Sequence, residues 1–181
     1  VYPACEIVQP GTIKHIAGNR FSLGEPEGSE SDRLKFISEI LKRAGFRAPI
    51  QKNIRDEIWL KLIGNLSFNP ISALTGATLE QICNDQGTEA IVRAMMTEAK
   101  IIAEELGAKI NMSIEKRIDG ARKVGAHKTS MLQDIEAGKP IEIDSIIIAV
   151  KELGELTCSP TPNIDTILNL TLQKAKLIGC L

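Results

Sequence analysis

Residues 57–70, EIWLKLIGNLSFNP, decide the fold of this chain because they read as one buried helix that carries a row of polar side chains. Lys61, Asn65 and Asn69 follow one another at four-residue steps, which brings each side chain back to nearly the same helix face. A parallel apolar row lies beside them: Ile54, Ile58, Leu62 and Leu66. The polar row of Lys61, Asn65 and Asn69 is therefore predicted to face a cleft and to bind a small, oxygen-rich ligand.

The composition is that of a globular domain with an aliphatic core. The chain has 181 residues, of which 43% are hydrophobic and 25% charged, enough for one domain or one domain plus an appendage. A net charge of -1 and an aromatic content of 3% argue against a nucleic-acid partner. No bilayer-spanning apolar run or signal-peptide pattern occurs, so we expect a cytoplasmic protein without a membrane partner.

The cysteines indicate free thiols rather than a disulfide framework or a metal site. They are scattered along the chain at Cys5, Cys83, Cys158 and Cys180. No CxxC pair occurs, and the two histidines do not complete a zinc constellation, so no metal is expected. The chain opens V-Y-P-A-C-E-I-V without an initiator Met, which suggests a fragment or a processed chain.

The rest of the sequence predicts a small β segment followed by helices, and therefore a mainly α fold. Residues 5–24 alternate and carry turn signals typical of two or three short strands. Pro70 is expected to kink or interrupt the helix of the polar row after Asn69. Helices are predicted from 31 or 32 to 44, from 53 to about 76, and over 78–84, 87–106, 112–124, 129–136, 142–155 and 161–178.

The polar row has two interpretations. Lysine is usually solvated on a helix surface, but here Lys61 could act as a general acid or as a cation that stabilises an oxyanion. Asparagine is a poor residue inside a helix because its amide competes for backbone hydrogen bonds. Two asparagines on the face of Lys61 favour the functional interpretation, although Asn69 also precedes a proline.

Two further segments could carry chemistry. Ser130 with Gln133 fits a capping box, and a hydroxyl at a helix start equally suits a bound carboxylate. Asp134 lies on the face of Ser130, four residues later. Glu142 is either a partner of the helix dipole or a carboxylate that orients Lys61.

These segments together resemble the ketopantoate reductase (2-dehydropantoate 2-reductase) family. The matching blocks are EIWLKLIGNLSFNP at 57–70, TSMLQDI at 129–135 and IEID at 141–144, with PGTIKH and FSLGE near the N-terminus. The similarity covers essentially the whole chain. It implies a helical, 6-phosphogluconate-dehydrogenase-like C-terminal domain over 29–181, preceded by a β-hairpin segment over 1–28 that completes a Rossmann domain.

The resemblance implies roles for particular residues in an NADPH-dependent reduction of 2-dehydropantoate, in pantothenate and coenzyme A synthesis. Lys61 protonates the carbonyl oxygen, and Asn65 and Asn69 hold the oxygens of the substrate. Ser130 binds the substrate carboxylate. Glu142 is the acid that interacts with the lysine and with the cofactor.

The resemblance leaves one site residue without a clear role and several alternatives open. Asp134 falls at a family aspartate near the substrate. A related reductase of another small 2-oxo acid, or a non-enzymatic helical dimerisation module, remains possible from the residues alone.

Because GxGxxG is missing, NADPH is expected to bind mainly to a first domain, and the 181-residue chain alone is expected to be inactive. Open strand edges predict a homo-oligomer, for example a dimer.

Overall fold

The structure of the protein is a computed structural model that describes residues 3–181, with the side chains of residues 4, 6 and 17 left aside. The chain divides into two compact units, Val1–Ile58 and Trp59–Leu181. None of the helices among the described residues combines the length and apolar character needed to cross a membrane.

The first unit begins with a β-hairpin. Strands β1 (Ala4–Gln9) and β2 (Thr12–Ala17) are antiparallel, with Ile7 opposite Ile13. Gly11 in the connecting turn has φ +80°, a conformation that glycine adopts without steric cost. The possible third strand near FSLGE is present only as two isolated parallel bridges, Arg20 to Arg47 and Leu23 to Ile50.

The first helix is anchored by a buried carboxylate. Helix α1 (Asp32–Arg43) begins at the N-cap Ser31, whose hydroxyl accepts a hydrogen bond from the Leu34 amide. Glu25 is 5% exposed, and its two oxygens accept from Arg33 Nε at 2.8 Å and Nη2 at 2.6 Å. The Ser31 hydroxyl also donates to Glu25. Arg33 and Ser31 together lower the pKa of Glu25 from 4.5 to about 2, which ties the loop to the helix start.

The remaining elements are helical, which confirms the predicted mainly α fold with a small N-terminal hairpin. A π-helical turn, Asp144–Ile148, replaces the regular start of the helix predicted from 142. The α-helices that follow α1 are α2 (Ile54–Thr75), α3 (Leu79–Asn84), α4 (Gln86–Glu105), α5 (Ile114–Val124), α6 (Ser130–Glu136), α7 (Ala149–Leu156) and α8 (Pro162–Ile178).

The core of the second unit is aliphatic, and α4 supplies much of it. Its inner face includes the fully buried Met95, Ala99 and Ile102, as the spacing of apolar residues predicts. One charged residue of α4, Glu98, is also buried. Its carboxylate accepts hydrogen bonds from the Asn163 amide nitrogens, backbone at 3.0 Å and side chain at 2.6 Å, and from the Ile164 backbone at 3.0 Å. Glu98 thus caps the start of α8 from another helix.

Helix α2 runs unbroken through Pro70, so of the kink or interruption expected after Asn69, the interruption is wrong and the kink stays a prediction. Proline removes one backbone donor, but every residue from 66 to 73 is buried, and this packing outweighs the local cost. Lys174 Nζ donates to the Ala73 and Leu74 carbonyls at 2.5 and 3.1 Å, which satisfies acceptors at the end of the helix. Of the predicted apolar row, Leu66 is buried, whereas Ile58 is 56% exposed.

The packing division falls inside α2, between Ile58 and Trp59, whereas the predicted domain boundary lies at 28/29. Backbone hydrogen bonds join segment 19–23 to segment 47–51 within the first unit, for example from the Leu23 nitrogen to the Pro49 carbonyl at 3.0 Å. The helix between these segments therefore belongs to the same packing unit. The division into a hairpin segment 1–28 and a catalytic domain 29–181 stays a prediction about function.

Candidate functional site

The polar row lies on α2, and its exposure falls along the helix. Asn53 precedes the helix, and its side-chain oxygen accepts from the Arg55 amide at 3.2 Å. Lys61 and Asn65 are half-buried, and Asn69 is only 5% exposed. At 1.5 Å per residue, the row extends about 12 Å along the helix axis. It therefore leads from a half-buried lysine to a buried asparagine.

A second segment meets the polar row at its buried end. The Asn69 side-chain nitrogen donates to the Ser130 hydroxyl at 3.5 Å, although the two residues are 61 positions apart in the sequence. A distance of 3.5 Å is long for a hydrogen bond and marks close contact more than strong pairing. The structure thus brings together two of the predicted site residues from two different helices.

The N-cap of α6 is Thr129 rather than Ser130, so the capping-box interpretation of Ser130 and Gln133 is wrong. The buried Thr129 hydroxyl accepts from the Leu132 amide at 3.4 Å. The Gln133 side chain donates to the Lys128 carbonyl at 2.8 Å and does not complete a box with Ser130. Ser130 is the first residue of the helix and is exposed, so its hydroxyl does not serve as the cap.

Glu142 lies in a tight turn just before a helical segment, and its side chain is exposed to solvent. Its neighbours Ile141 and Ile143 are buried, and the Ile143 nitrogen donates to the Ile141 carbonyl at 3.0 Å across Glu142. The Ile141 nitrogen donates to the Cys180 carbonyl at 3.0 Å, which holds this segment against the C-terminal residues. In the described part of the chain, the Glu142 side chain makes no hydrogen bond or ion pair. Its pairing with Lys61 therefore stays a prediction.

Asp134 is half-buried on α6, one helical turn after Ser130. Its backbone carbonyl accepts from the Lys139 nitrogen at 2.8 Å, which closes the end of the helix. This contact is made by the backbone, so it assigns no chemistry to the side chain. A role of Asp134 in substrate binding stays a prediction.

Sequence reasoning missed one residue next to the polar row. The Arg117 guanidinium, from α5, lies against Gly64 of α2, where an added Cβ would be 2.7 Å from Arg117 Cζ. A glycine inside a buried helix is the sequence signal, because glycine weakens helices and needs a packing reason to be there. The arginine itself carries no such signal in the sequence.

The donor set suits an oxygen-rich organic anion. An ammonium, two carboxamides and a hydroxyl offer N–H and O–H groups. Carbonyl and carboxylate oxygens accept hydrogen bonds from such groups. No group of three or more His, Cys, Asp or Glu side chains that could hold a metal ion occurs among residues 3–181 as described. The N–H and O–H donors of the polar row and of Ser130 are the groups that could bind such an anion in this part of the chain.

Comparison with known proteins points in the same direction. Residues 53–175 match the family model described as ketopantoate reductase PanE/ApbA C terminal. A 2-dehydropantoate 2-reductase of Mesorhizobium japonicum is 54% identical over 180 residues, which are 99% of this chain and 55% of that protein. That of Archaeoglobus fulgidus is 29% identical over 133 residues, 74% of this chain and 45% of its own.

Solved structures share the fold. A crystal structure from Ralstonia solanacearum MolK2 has a TM-score of 0.95 and 42% identity, and covers 100% of this chain and 55% of its own. The 2-dehydropantoate 2-reductase from Methylococcus capsulatus has a TM-score of 0.91 and 31% identity, and the match covers 98% of this chain and 62% of that structure. This chain thus spans about half the length of the relatives that it matches. The chain belongs to the ketopantoate reductase PanE/ApbA C-terminal family.

Proposed function

We propose that this chain is the substrate-binding and catalytic part of an NADPH-dependent reductase that converts 2-dehydropantoate to pantoate, for pantothenate and coenzyme A synthesis. The observation that carries the proposal is the contact of Asn69 with Ser130, which joins the TSMLQDI block to the polar row. The relatives named 2-dehydropantoate 2-reductase support the choice of substrate.

Ser130 is the residue that recognises the substrate carboxylate. Its oxygen accepts a hydrogen bond from Asn69, and α6 is capped by the Thr129 hydroxyl instead of by Ser130. The proton of Ser130 is then free to point to an external acceptor. A hydrogen bond to a charged acceptor is stronger than a neutral one, so this geometry favours a carboxylate as the ligand.

Lys61 is the proton donor. The nicotinamide cofactor, when bound, supplies the hydride that reduces the carbonyl carbon. The C=O bond of the substrate becomes a C–O single bond, and the Lys61 ammonium gives the oxygen its proton to form the hydroxyl of pantoate. Because Lys61 is half-buried rather than sealed in the core, solvent can return a proton to its amine after each turnover.

The two asparagines hold the substrate between these groups. Asn65 lies between Lys61 and Asn69, about 6 Å along the axis from each. Its carboxamide can both donate to and accept from substrate oxygens. Asn69 is buried and acts partly through Ser130, which it orients. Asp134 lies one turn beyond Ser130 and is proposed to border the substrate from the same helix.

The donors of this chain fit the substrate better than the phosphates of a dinucleotide. Among the described residues, no two glycines are placed as in GxGxxG, the fingerprint of the Rossmann loop that binds the pyrophosphate of a dinucleotide. Glu142, an exposed carboxylate without an internal partner in this part of the chain, would accept hydrogen bonds from hydroxyl groups of the cofactor. NADPH is therefore proposed to bind mainly to another domain of the full-length protein.

A homo-oligomer is proposed as the working form. A ketopantoate reductase from Staphylococcus aureus, described as dimeric, shares the fold with a TM-score of 0.81 at 21% identity. In the hairpin of this chain, Ile7 and Ile13 are 76% and 70% exposed, which is a large apolar surface to leave in water. A cytoplasmic location fits a small-molecule reductase of this kind.

The test is the rate of NADPH oxidation by the full-length protein with 2-dehydropantoate. Lys61→Ala should lower kcat by about 10²- to 10⁴-fold, the range of general acid catalysis. Lys151→Ala, which removes a lysine paired with Glu155 on α7, should leave kcat within about twofold because a surface ion pair contributes little.

Two outcomes would count against the proposal. Unchanged catalysis in Lys61→Ala would show that the polar row has no chemical role. The chain would then be interpreted as a non-enzymatic helical dimerisation module. Faster reduction of another 2-oxo acid than of 2-dehydropantoate, in a substrate panel, would instead assign the chain to a related reductase.

A further inference from the structure

Gly64 lies within α2, one helical turn after Lys61, and the structure shows why it lacks a side chain. Glycine is among the least favourable residues in a helix interior, so a buried glycine there needs a reason. A Cβ at this position would lie 2.7 Å from both Cζ and Nε of Arg117, nearer than real Cβ contacts come. The Arg117 guanidinium therefore occupies the space of the missing side chain, and we call this place the guanidinium seat.

The guanidinium seat borders Lys61. On a helix surface, each position has its neighbours three and four residues away. The neighbours of Gly64 are Leu60, Lys61, Ser67 and Phe68. Ser67 and Phe68 are buried, so Lys61 is the neighbour with a polar side chain that also reaches solvent. By helix periodicity, Gly64 and Asn65 lie on either side of Lys61, one turn further along α2, so the guanidinium on Gly64 is on one of these two sides.

The position of Arg117 is determined by its own helix. Its backbone nitrogen donates to the Ser113 carbonyl at 3.1 Å, in the first turn of α5. Its side chain lines a small, mostly apolar cavity together with Ile63, Met96 and Ile114. The hydrocarbon stem packs among these residues, and the charged head extends to the surface of α2. The head is planar, which suits contact with a helix that has no Cβ at that point.

We propose that Arg117 is a positioning residue for Lys61. A lysine side chain is long and flexible, and a wall on one side removes the rotamers that would carry its ammonium over Gly64. The remaining rotamers keep the ammonium beside Asn65 and along the polar row. The consequence for catalysis rests on the proposed function, whereas the confinement of the Lys61 side chain does not.

The experiment compares variants of the full-length protein in a double-mutant cycle. Gly64→Ala displaces the guanidinium without changing a chemical group, and Arg117→Met removes the guanidinium but keeps a stem for the cavity. Each should lower kcat about ten- to a hundredfold, the effect of a misplaced catalytic group, with a smaller change in KM. The double variant should be no slower than Arg117→Met, because both changes remove the same contact. Lys116→Met, on the exposed side of α5, is the matched control.

A second readout does not depend on catalysis. Competitive labelling with an amine-reactive reagent, followed by mass spectrometry, compares Lys61 with the exposed Lys123 in each variant. Release of the Lys61 side chain should raise its relative labelling rate by about threefold or more in Arg117→Met. If Gly64→Ala does not fold, Arg117→Met, which introduces no clash, still provides both measurements.

The results separate this inference from the proposed function. An unchanged labelling rate of Lys61 in Arg117→Met overturns the positioning role, whatever the activity. Additive losses of kcat in the double variant, or kcat within about twofold of wild type in Arg117→Met, also overturn it. If the wild-type protein does not reduce 2-dehydropantoate, the proposed function fails, and the labelling experiment still decides the role of Arg117.

Discussion

Replacement of Glu98 by alanine should destabilise the second unit more than any surface change, because three hydrogen bonds converge on this buried carboxylate. Two of them come from the backbone nitrogens of Asn163 and Ile164 in the first turn of α8, and Ile164 is fully buried. Alanine at position 98 leaves these nitrogens without their acceptor. The first amides of a helix have no partner within the helix and depend on such a cap.

The magnitude follows from the three bonds. A hydrogen bond to a charged group contributes about 1.5–3 kcal/mol, so the three sum to an upper bound of about 4.5–9 kcal/mol. Water can reach the half-buried Asn163 once the carboxylate is gone, which lowers the cost. A loss of about 3–5 kcal/mol is expected, as for the removal of one partner from a buried charged pair. Near the melting temperature this corresponds to a decrease in Tm of about 6–20 °C.

The assay combines thermal unfolding of the full-length protein with hydrogen exchange of the α8 amides. In Glu98→Ala, exchange at the start of α8 should accelerate on the order of a hundredfold or more. Glu98→Gln should be intermediate, because its carbonyl can still accept from Asn163 while its NH₂ group faces the Ile164 nitrogen. Glu104→Ala, on the exposed side of the same helix, removes only a 3.6 Å ion pair with Lys100. It should change stability by about 0.5 kcal/mol or less.

The reasoning would be refuted by one clear result. If Glu98→Ala and Glu104→Ala differ by less than about 1 kcal/mol, the carboxylate does not cap α8 in solution. Normal exchange of the α8 amides in Glu98→Ala would lead to the same conclusion, even if the melting temperature falls for another reason.

Two further predictions concern pH and the start of α6. The folded pKa of Glu25, about 2, lies below its ordinary 4.5, so Glu25 stabilises the first unit above pH 4.5 and less as pH falls toward 2. The difference in melting temperature between wild type and Glu25→Gln should therefore shrink across this range, and a constant difference would contradict the ion pair with Arg33. Thr129→Ala should cost about 1 kcal/mol in thermal unfolding, as the loss of an N-cap does. Ser130→Ala should instead leave stability within about 0.5 kcal/mol and raise KM for 2-dehydropantoate about tenfold or more; equal destabilisation by both variants would restore Ser130 as the cap.

Local sequence patterns were sufficient for the elements and for most of the candidate site. The four-residue spacing of Lys61, Asn65 and Asn69 predicts a common helix face, because helix periodicity depends only on the backbone. Capping residues and glycines placed the helix ends within a few residues, as with Ser31 and Gly45 around α1. The blocks at 57–70 and 129–135 were enough to indicate the family.

Local patterns failed where two interactions compete for one residue. Ser130 and Thr129 are both good caps, and only the burial of Thr129 decides between them. Pro70 is a helix breaker in sequence, yet the packing of residues 66–73 carries the helix through it. In each case the tertiary environment contributes more free energy than the local preference, which is about 1–3 kcal/mol.

By itself, the sequence determined that this chain is a helical domain with a polar row on one helix and that it belongs with the ketopantoate reductases. Only the tertiary structure decided that Asn69 meets Ser130, that Glu98 caps α8 and that Arg117 lies on Gly64. These contacts join residues far apart in the chain. Their partners are chosen by how whole helices pack, and neither helix periodicity nor capping preference contains that information.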